Sequence, residues 1–197
     1  MKKTFEIIEK KNLLDDFLEV NAYQLTHDMF SGEKTPVIRR LCLEKQNAVS
    51  VLLFDPVRNN VVMVEQFRIG AKNLDDSWLL ENPAGYFETD ESPEQVAIRE
   101  VMEETGCEVS NLIEICEFLV SPGISDEMIM LYCGKVDSSN AEGIHGVDDE
   151  HEDIRVEVLS LEQAKKELYT GRINSTSTII SMQWLLLNIE DIKRQWS

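Results

Sequence analysis

The amino-acid sequence predicts an α+β fold, an α/β/α sandwich with a mixed β-sheet between helices. The first half of the chain is dominated by runs rich in β-branched and aromatic residues. A segment with the start and stop signals of a helix interrupts these runs near the centre, and two helical segments follow the last of them. Strands on either side of a central helix, with helices at the end, favour a sheet whose faces are covered by helices.

The predicted strands are short β-rich runs bounded by turn-forming residues. One pair of runs is separated by residues 55–60, whose sequence Asp-Pro-Val-Arg-Asn-Asn suits a hairpin connection. These signals predict strands over residues 20–25, 36–43, 48–54, 61–67, 112–120, 128–136 and 154–159.

The central helix is bounded by clear capping signals. Ser92 suits the N-cap, Pro93 suits the first helical position, and Gln95 completes a capping box with Ser92. Gly106 is placed to end the helix in a left-handed conformation. Two closing helices are predicted over residues 162–169, ended by Gly171, and over residues 177–189.

Length and composition indicate one globular domain. The chain has 197 residues, of which 43% are hydrophobic and 28% are charged, and this length is enough for one well-buried core. The formal net charge of −18 argues against nucleic acids and anionic membranes as partners, because both would be repelled. An anionic substrate would need a bridging cation, for which a divalent metal is the natural candidate.

Cysteine spacing and the apolar runs predict a soluble, cytoplasmic protein. The four cysteines are widely spaced and include no Cys-x-x-Cys pair, which favours reduced, buried thiols over disulfides or a metal site. The first residues, Met-Lys-Lys-Thr-Phe-Glu, turn acidic too early for a signal peptide. The longest apolar run, near residues 179–187, is well short of the ~20 residues needed to span a bilayer.

The central helix carries a cluster of acidic side chains. Glu100 and Glu104 are four residues apart and Glu103 is three residues from Glu100, so these carboxylates share or border one face. Like charges at this spacing destabilise a helix by roughly 0.2–0.5 kcal/mol per pair, so stability alone does not favour the cluster. One interpretation is a solvated acidic face; the other is a site for Mg²⁺, which prefers oxygen ligands.

A longer pattern around this helix favours the metal site. From Gly85 to Cys107 the sequence reads G-x5-E-x7-R-E-U-x-E-E-x-G-U, where U is an apolar residue. Its seven fixed identities, each at roughly 6–7% background frequency, arise by chance on the order of 10⁻⁸ times per starting position. The segment resembles the signature of the Nudix hydrolases at every fixed position.

This resemblance implies a reaction and the residues that perform it. Nudix hydrolases share an α/β/α sandwich and cleave nucleoside diphosphate derivatives with Mg²⁺, which neutralises and orients the pyrophosphate for attack by water. The resemblance is compatible with two or three metal ions per site and with replacement of Mg²⁺ by Mn²⁺. In the acidic loop 148–153, Glu150 is implied as the general base, although neighbouring glutamates leave the choice between Glu150 and Glu152 open. Arg99 and Glu103 are implied as supporting catalytic residues. The implied metal ligands are the main-chain carbonyl of Ala84 and the carboxylates of Glu100, Glu104 and Glu152.

Features beyond the signature resemble the bacterial ADP-ribose pyrophosphatases. Pro122 lies fifteen residues after the end of the signature at Cys107, where these enzymes commonly carry a proline. Further similar segments occur in the same order along residues 14–197. They include residues 55–58, 65–68, 78–81, 83–85, 121–123, 143–146, 152–156 and 171–174.

The same resemblance implies substrate contacts and a division of the chain. Residues 1–46 would be an N-terminal β-strand dimerisation segment, and residues 47–197 the hydrolase domain. Exchange of the N-terminal strands predicts a homodimer in which both subunits contribute to each site. Leu18, Lys45 and Ile124 depart from the residues usual in this group, which bears on sugar specificity. The implied substrate-binding residues are Phe17, Leu18, Arg39, Arg40, Lys45, Arg68, Ser121 and Glu127.

The sequence therefore predicts Mg²⁺-dependent hydrolysis of ADP-ribose to AMP and ribose 5-phosphate. A pyrophosphatase for another nucleotide sugar, such as GDP-mannose, is the first alternative, because that group shares the signature and the Ser-Pro-Gly turn; the tract Gly143–Gly146 favours ADP-ribose. A non-catalytic ADP-ribose-binding Nudix module is the second. Such modules usually lack signature glutamates, whereas Glu100, Glu103 and Glu104 are all present.

Overall fold

The chain forms two compact units. The computed structural model describes residues 2–147 and 151–196. The first unit consists of residues 1–47 and 118–128, and the second of residues 48–117 and 129–197. The signature helix with its acidic cluster belongs to the second unit.

The first unit is built on a three-stranded antiparallel sheet. Its strands are β1 (Phe5–Asp15), β2 (Glu19–His27) and β3 (Ile38–Glu44), and β2 lies in the middle. Residues 118–128 attach to the end of β3. The Leu43 N–H donates to the Ile124 carbonyl at 2.8 Å, and the Lys45 N–H donates to Asp126 Oδ1 at 3.0 Å. Every residue of β1 is exposed, so the strand pairs with β2 but contributes no core.

The second unit is built on a mixed sheet. Its strands are β4 (Ala48–Asp55), β5 (Asn60–Phe67), β6 (Trp78–Glu81), β7 (Ala84–Tyr86), β8 (Asn111–Leu119), β9 (Met128–Lys135), β10 (Ile144–His145) and β11 (Ile154–Ser160). Within the described residues their order is β10-β11-β5-β4-β9-β8, with β6 added to β5 and β7 added to β4. β4 pairs parallel with β9 and antiparallel with β5 and β7. This central strand therefore positions β7 beside the signature helix.

Helices cover both faces of this sheet. They are α1 (Pro93–Thr105), α2 (Leu161–Thr170) and α3 (Thr176–Trp196). On one face, Val96 and Val101 of α1 share a buried core with Val51 of β4. On the other face, α2 and α3 share a second core with Leu52 and Phe54. β4 thus supplies alternate residues to both cores, as expected of a strand buried on two faces. The predicted sandwich with a mixed sheet is confirmed.

α1 begins and ends where the sequence predicts. The Ser92 side chain accepts from the Gln95 N–H at 3.3 Å, and the Gln95 side chain accepts from the Ser92 N–H at 2.8 Å. Pro93 occupies the first turn, and Gly106 ends the helix with a φ of 65°. The Gly106 N–H donates to the Met102 carbonyl at 2.9 Å. The capping box and the left-handed C-cap are both confirmed.

α3 continues to Trp196, beyond its predicted end at Ile189. Charged residues interrupt the apolar run after Ile189, but buried positions continue at helical spacing. Ile192 and Trp196 are only 3% and 6% exposed, and the Trp196 ring lies 6.5 Å from the ring of Phe54. The prediction ended too early because it followed a continuous run of apolar residues and not the helical period. None of the described helices is long and apolar enough to cross a membrane.

The strands that the sequence did not reveal are exposed or very short. Strands β6, β7 and β10 have four, three and two residues, and β1 has no buried face. Strands of this kind are defined by backbone pairing with a neighbour, and pairing leaves no local alternation of polar and apolar residues. The sequence pattern therefore did not predict these strands.

Asp55 closes the hairpin after β4 and is almost fully buried, with a side chain that is 1% exposed. Its carboxylate accepts from the Val57 and Arg58 N–H groups at 2.9 and 3.0 Å. It also accepts from the N–H and hydroxyl groups of Ser138 at 2.9 and 2.7 Å. Burial alone would raise the pKa of Asp55, but these hydrogen bonds, together with Arg58, lower it to about 2.

We expect Asp55→Asn to destabilise the protein by about 2 kcal/mol at neutral pH, because the pKa falls from 3.8 to about 2 on folding. A carboxylate with a depressed folded pKa stabilises the protein above its unfolded pKa, and this contribution is lost as the pH falls from about 4 toward 2. Urea unfolding should therefore show a gap between variant and wild type that narrows below about pH 4.

Asp137→Asn is the matched control for that measurement. Asp137 contacts the same Arg58 at 2.8 Å, but its side chain is 70% exposed, so its removal should change the free energy of unfolding little. Equal losses in the two variants would show that burial of Asp55 is not what matters.

Candidate active site

α1 separates its apolar and acidic residues onto different faces. Val96, Ala97 and Val101 are fully buried against the sheet. Glu100 and Glu104 lie one turn apart on the side that contacts β7. Because β7 pairs with the central strand β4, the sheet holds a segment of main chain beside these two carboxylates.

Arg99 connects the acidic side chains around α1. It forms a bidentate pair with Glu91, in which the Nε–Oε1 and Nη2–Oε2 distances are both 2.9 Å. Its Nη1 donates to Glu100 Oε1 at 2.7 Å and to Glu103 Oε2 at 3.1 Å. Its Nη2 also donates to the Tyr86 carbonyl at 3.0 Å. The bonds with Glu91 raise the pKa of Arg99 and lower that of Glu91, so this pair stays charged and fixes the orientation of Glu100.

Glu100 lies directly against the main chain of Gly85. A Cβ atom at Gly85 would overlap the Glu100 carboxylate, so the close approach requires glycine. The Glu100 side chain is 12% exposed. Burial raises the pKa of Glu100 to about 6; Arg99 opposes this rise, and the charges of Glu103 and Glu152 add to it.

Glu104 is more completely buried, with 3% of its surface exposed. Its Oε2 accepts from the Ala84 N–H at 3.2 Å. Burial raises the pKa of Glu104 well above its usual value, and the charges of Glu100 and Glu152 raise it further. The main chain of Ala84 and Gly85 therefore lies against two carboxylates from successive turns of α1, the buried Glu104 and the largely buried Glu100.

Glu152 approaches the same carboxylates from the loop before β11. Its Oε2 accepts from the Val147 N–H at 3.2 Å. A Cβ atom at Gly146 would lie 2.6 Å from Glu152 Cβ, so this close packing also requires glycine. The Gly146 N–H in turn donates to the Glu103 carbonyl at 3.4 Å, which attaches the start of the loop to the end of α1.

These carboxylates fit a hard divalent cation. The charges of Glu100, Glu104 and Glu152 act on one another in a largely buried region, and an oxygen-liganded cation would relieve their repulsion. Across residues 2–147 and 151–196, no three His, Cys, Asp or Glu side chains are arranged so that they could together hold a metal ion. An open set suits Mg²⁺, which commonly takes one or two carboxylates and completes its shell with phosphate oxygens and water. The predicted base, Glu150, lies outside the described residues.

Arg68 brings a positive charge to this cluster. It directly follows β5, and its Nε donates to Glu81 Oε2 at 2.7 Å. Its charge lowers the pKa of Glu104, against the larger effect of burial. Among the predicted substrate-binding residues, Arg68 belongs to the same unit as the carboxylates.

Three other predicted substrate-binding residues meet where residues 118–128 attach to β3. Lys45 Nζ lies 3.9 Å from Glu127 Oε1, and the Glu127 N–H donates to Ser125 Oγ at 3.2 Å. The Ser121 carbonyl accepts from the N–H groups of Ile124 and Ser125 at 3.0 and 2.9 Å. Ser121 and Glu127 therefore lie in one hydrogen-bonded segment of the first unit, and Lys45, just after β3, pairs with Glu127.

The remaining predicted contacts are spread over the same three-stranded sheet. Arg39 and Arg40 are exposed on β3, opposite residues of β2. Phe17 is 87% exposed and Leu18 is half-buried in the turn between β1 and β2. Within this unit the arginines and Phe17 present their side chains to solvent.

Glu91 has a role that the sequence pattern alone did not assign. It occupies a fixed position of the signature, eight residues before Arg99, and the two side chains meet because the chain turns into α1 at Ser92. Its fixed spacing from an arginine was the available signal. The spacing is not a helical one, so only the fold reveals the pair.

Comparison with known protein families shows which family the chain belongs to. Residues 44–178 match the NUDIX domain family, a range that includes β7, α1 and the loop before β11. The chain belongs to the Nudix family.

Relatives of this Nudix chain extend over nearly its whole length. It is 41% identical over 197 residues to the ADP-ribose pyrophosphatase of Escherichia coli (strain K12), covering 100% of the chain and 94% of that protein. The ADP-ribose pyrophosphatase of Haemophilus influenzae is 39% identical, with 99% and 92% covered. The GDP-mannose pyrophosphatase of Escherichia coli O1:K1 is 30% identical, with 95% and 98% covered.

A solved structure agrees with the Nudix fold. The crystal structure of an ADP compounds hydrolase superposes with a TM-score of 0.70 at 18% sequence identity, covering 94% of this chain and 95% of that one. At this level of identity the likeness concerns the fold.

We expect Glu104→Gln to raise the melting temperature of the metal-free protein by a few degrees near pH 7.5. A carboxyl group whose pKa is raised on folding destabilises the folded state at pH values above its unfolded pKa, and glutamine can still accept from the Ala84 N–H. The same variant should lose most of the rise in melting temperature that Mg²⁺ gives the wild type. Thermal unfolding with EDTA and with Mg²⁺ measures both effects.

Glu108→Gln supplies the control, because Glu108 is an exposed carboxylate just after α1. It should behave as the wild type under both conditions. A Glu104→Gln protein that was strongly destabilised in EDTA, or that kept the full Mg²⁺ response, would contradict a metal site at this pair.

Proposed function

We propose that this Nudix protein hydrolyses ADP-ribose to AMP and ribose 5-phosphate with Mg²⁺. The observation that carries the proposal is the pair formed by the largely buried Glu100 and the buried Glu104 beside the main chain of Ala84 and Gly85. Burying such a pair is costly unless a cation compensates, which suits a metal-bound pyrophosphate. The choice of ADP-ribose is supported by 41% identity along the whole chain to an ADP-ribose pyrophosphatase.

When bound, the metal would neutralise charge and polarise phosphorus toward an incoming water. The side chains of this protein would hold and orient it. Arg99 keeps Glu100 and Glu103 in fixed positions through hydrogen bonds of 2.7 and 3.1 Å. The proposal allows two or three ions per site and Mn²⁺ as a substitute. The groups proposed to hold the ions are the Ala84 carbonyl and the carboxylates of Glu100, Glu104 and Glu152.

We assign the general base to Glu150, one of the acidic residues of the segment 148–153. A carboxylate there would accept a proton from the attacking water as its oxygen forms a bond to phosphorus. The bond between that phosphorus and the bridging oxygen breaks, and the second phosphate leaves. Glu152 is the alternative base, and its charge already acts on the glutamates of α1.

The predicted basic residues suit the anionic substrate. Guanidinium groups of Arg39, Arg40 and Arg68 can contact phosphate oxygens in a bidentate manner. Ser121 and Glu127 are proposed to contact the terminal ribose, and Lys45, which pairs with Glu127, is proposed as a further substrate-binding residue beside them. The residues proposed to flank the adenine are Phe17 and Leu18.

We further propose a homodimer with exchanged N-terminal strands, in the cytoplasm, with residues 1–46 as the dimerisation segment and residues 47–197 as the hydrolase domain. Large apolar side chains of β1 are exposed, with Phe5 at 69% and Ile8 at 54%. Exposed apolar residues at this density on a single strand favour coverage by a partner.

GDP-mannose is the second candidate substrate. It rests on the 30% identity to GDP-mannose pyrophosphatase, which is lower than the identity to the ADP-ribose enzymes. A binding module without activity is the remaining alternative. The presence of Glu100, Glu103 and Glu104, together with the bonds from Arg99 to the first two, favours catalysis over that alternative.

A substrate panel in H₂¹⁸O tests the proposed reaction. ADP-ribose, GDP-mannose, ADP-glucose, NADH and diadenosine polyphosphates are incubated with enzyme and Mg²⁺, and products are identified by mass spectrometry. We expect the highest kcat/KM for ADP-ribose, with ¹⁸O in one of the two products and no turnover in EDTA. Preference for GDP-mannose would move the assignment to the second candidate, and hydrolysis of no panel member would leave the binding module.

We expect Glu150→Gln to lower kcat by about 100-fold or more, because a positioned general base commonly contributes about 10²–10⁴-fold. Mg²⁺ binding should change little. Asp153→Asn, at an exposed position of the same loop, should remain near the wild-type kcat. If Glu150→Gln were nearly as active as the wild type while Glu152→Gln was not, the base would be Glu152.

A further inference from the structure

Asn82 lies at the centre of a buried polar network between β6 and β7. Its side chain is fully enclosed, with 2% of the residue exposed. Its Nδ2 donates to Ser50 Oγ at 3.2 Å and to Ser181 Oγ at 3.0 Å. Its main-chain N–H donates to Thr178 Oγ1 at 3.1 Å. Ser50, Thr178 and Ser181 are all fully buried, so the network connects β4 with α3 without access to water.

Stability alone does not favour this arrangement. Among the described residues, no donor reaches Asn82 Oδ1, although that atom is buried. Leaving a buried acceptor without a partner is unfavourable. The hydrogen bonds that Asn82 donates, which fix neighbouring segments of the chain, therefore explain its presence better than stability does.

The main chain after Asn82 leads directly to the acidic side of α1. The Pro83 carbonyl accepts from the Val51 N–H at 2.9 Å, and Ala84 pairs with Ser50 in the register of β7 on β4. Ala84 then donates to Glu104, and Gly85 lies against Glu100. A displacement of Asn82 would therefore reach both carboxylates through two or three peptide bonds.

The partners of Asn82 come from the face of the sheet opposite α1. Thr178 and Ser181 belong to the first half of α3, which packs in the core on that face. They are themselves fixed: Ser175 Oγ donates to Thr178 Oγ1 at 2.9 Å, and Ser181 Oγ donates to the Thr178 carbonyl at 3.1 Å. The start of α3 therefore holds Thr178 and Ser181 in fixed positions, where they bind Asn82 just before the Ala84–Gly85 main chain.

We propose that Asn82, held by Thr178 and Ser181 of α3, is a positioning residue that sets the Ala84–Gly85 main chain for metal binding by Glu100 and Glu104. Asn82 does not contact the metal or the substrate. It acts through the peptide groups that follow it, as residues outside a metal's immediate ligands commonly orient those ligands. The inference deepens the proposed function and rests on it for the identity of the site.

The test compares Thr178→Val with Thr178→Ser. Valine keeps the shape of threonine but removes the oxygen that accepts from the Asn82 N–H, whereas serine keeps that oxygen. Mn²⁺ is titrated into each metal-free protein without substrate, and free Mn²⁺ is measured by electron paramagnetic resonance. Glu104→Gln defines the Mn²⁺ taken up elsewhere on this acidic chain. The Mg²⁺ dependence of ADP-ribose hydrolysis is measured in parallel.

We expect Thr178→Val to weaken Mn²⁺ binding by about tenfold or more, the usual effect of losing a group that orients a metal's ligands. The Mg²⁺ concentration for half-maximal kcat should rise by a similar factor, while KM at saturating Mg²⁺ changes less. Thr178→Ser should stay within about twofold of the wild type. That rescue by a retained hydroxyl separates positioning from general loss of packing.

Leu185→Ala is the matched control for packing. Leu185 is fully buried in the same core on the same helix, but it takes no part in the network. It should lower the melting temperature and leave the Mn²⁺ affinity unchanged. A folded Thr178→Val protein with wild-type Mn²⁺ affinity would overturn the proposal, as would a Leu185→Ala protein that binds Mn²⁺ as weakly as Thr178→Val.

If Thr178→Val does not fold, Ser181→Ala replaces it, because that change removes only one acceptor of the Asn82 side chain. Weakened Mn²⁺ binding in Ser181→Ala supports the proposal, and unchanged binding refutes it. The Mn²⁺ measurement needs no turnover. A wild type that binds Mn²⁺ but leaves ADP-ribose intact would therefore reject the proposed substrate without deciding the role of Asn82.

Discussion

The whole site is organised around the close approach of α1 to the Ala84–Gly85 main chain. Two carboxylates from successive turns of one helix are brought against two consecutive peptide groups. Like charges in a buried region repel each other and are poorly solvated, so this contact is not stable by itself. It exists because other interactions bring α1 and β7 together independently.

Those interactions are distributed over both ends and one face of the helix. A capping box fixes its start, a left-handed glycine fixes its end, and its apolar residues share a core with β4. Arg99 adds a bidentate pair with Glu91 outside the helix. Each contribution is ordinary in size. Together they hold a charged surface in a place that favours ligand binding over stability, as is common at functional sites.

The sequence predicted most of the second unit and the helix at its centre, because those elements carry local signals. Caps such as Ser92 and Gly106 act within one turn, and buried strands such as β4 and β5 are continuous apolar runs. The pair Glu91–Arg99 and the network of Asn82 were not predictable in the same way. They depend on which strands pair with each other. The central strand β4 has three different partners, and its own sequence does not indicate which strands these are. The short strand β7 lines the site, but its sequence did not predict a strand for the same reason.

The long separation between Asn82 and its partners has a consequence for synthesis of the chain. Thr178 and Ser181 follow Asn82 by 96 and 99 residues, so on a ribosome that adds roughly 5–20 residues per second they emerge about 5–20 s later. The capped helix α1 needs only local contacts and can form during that interval. A growing chain can therefore form its acidic helix well before Thr178 and Ser181 are available to bind Asn82. The site is completed late, although the residues of its signature are synthesised early.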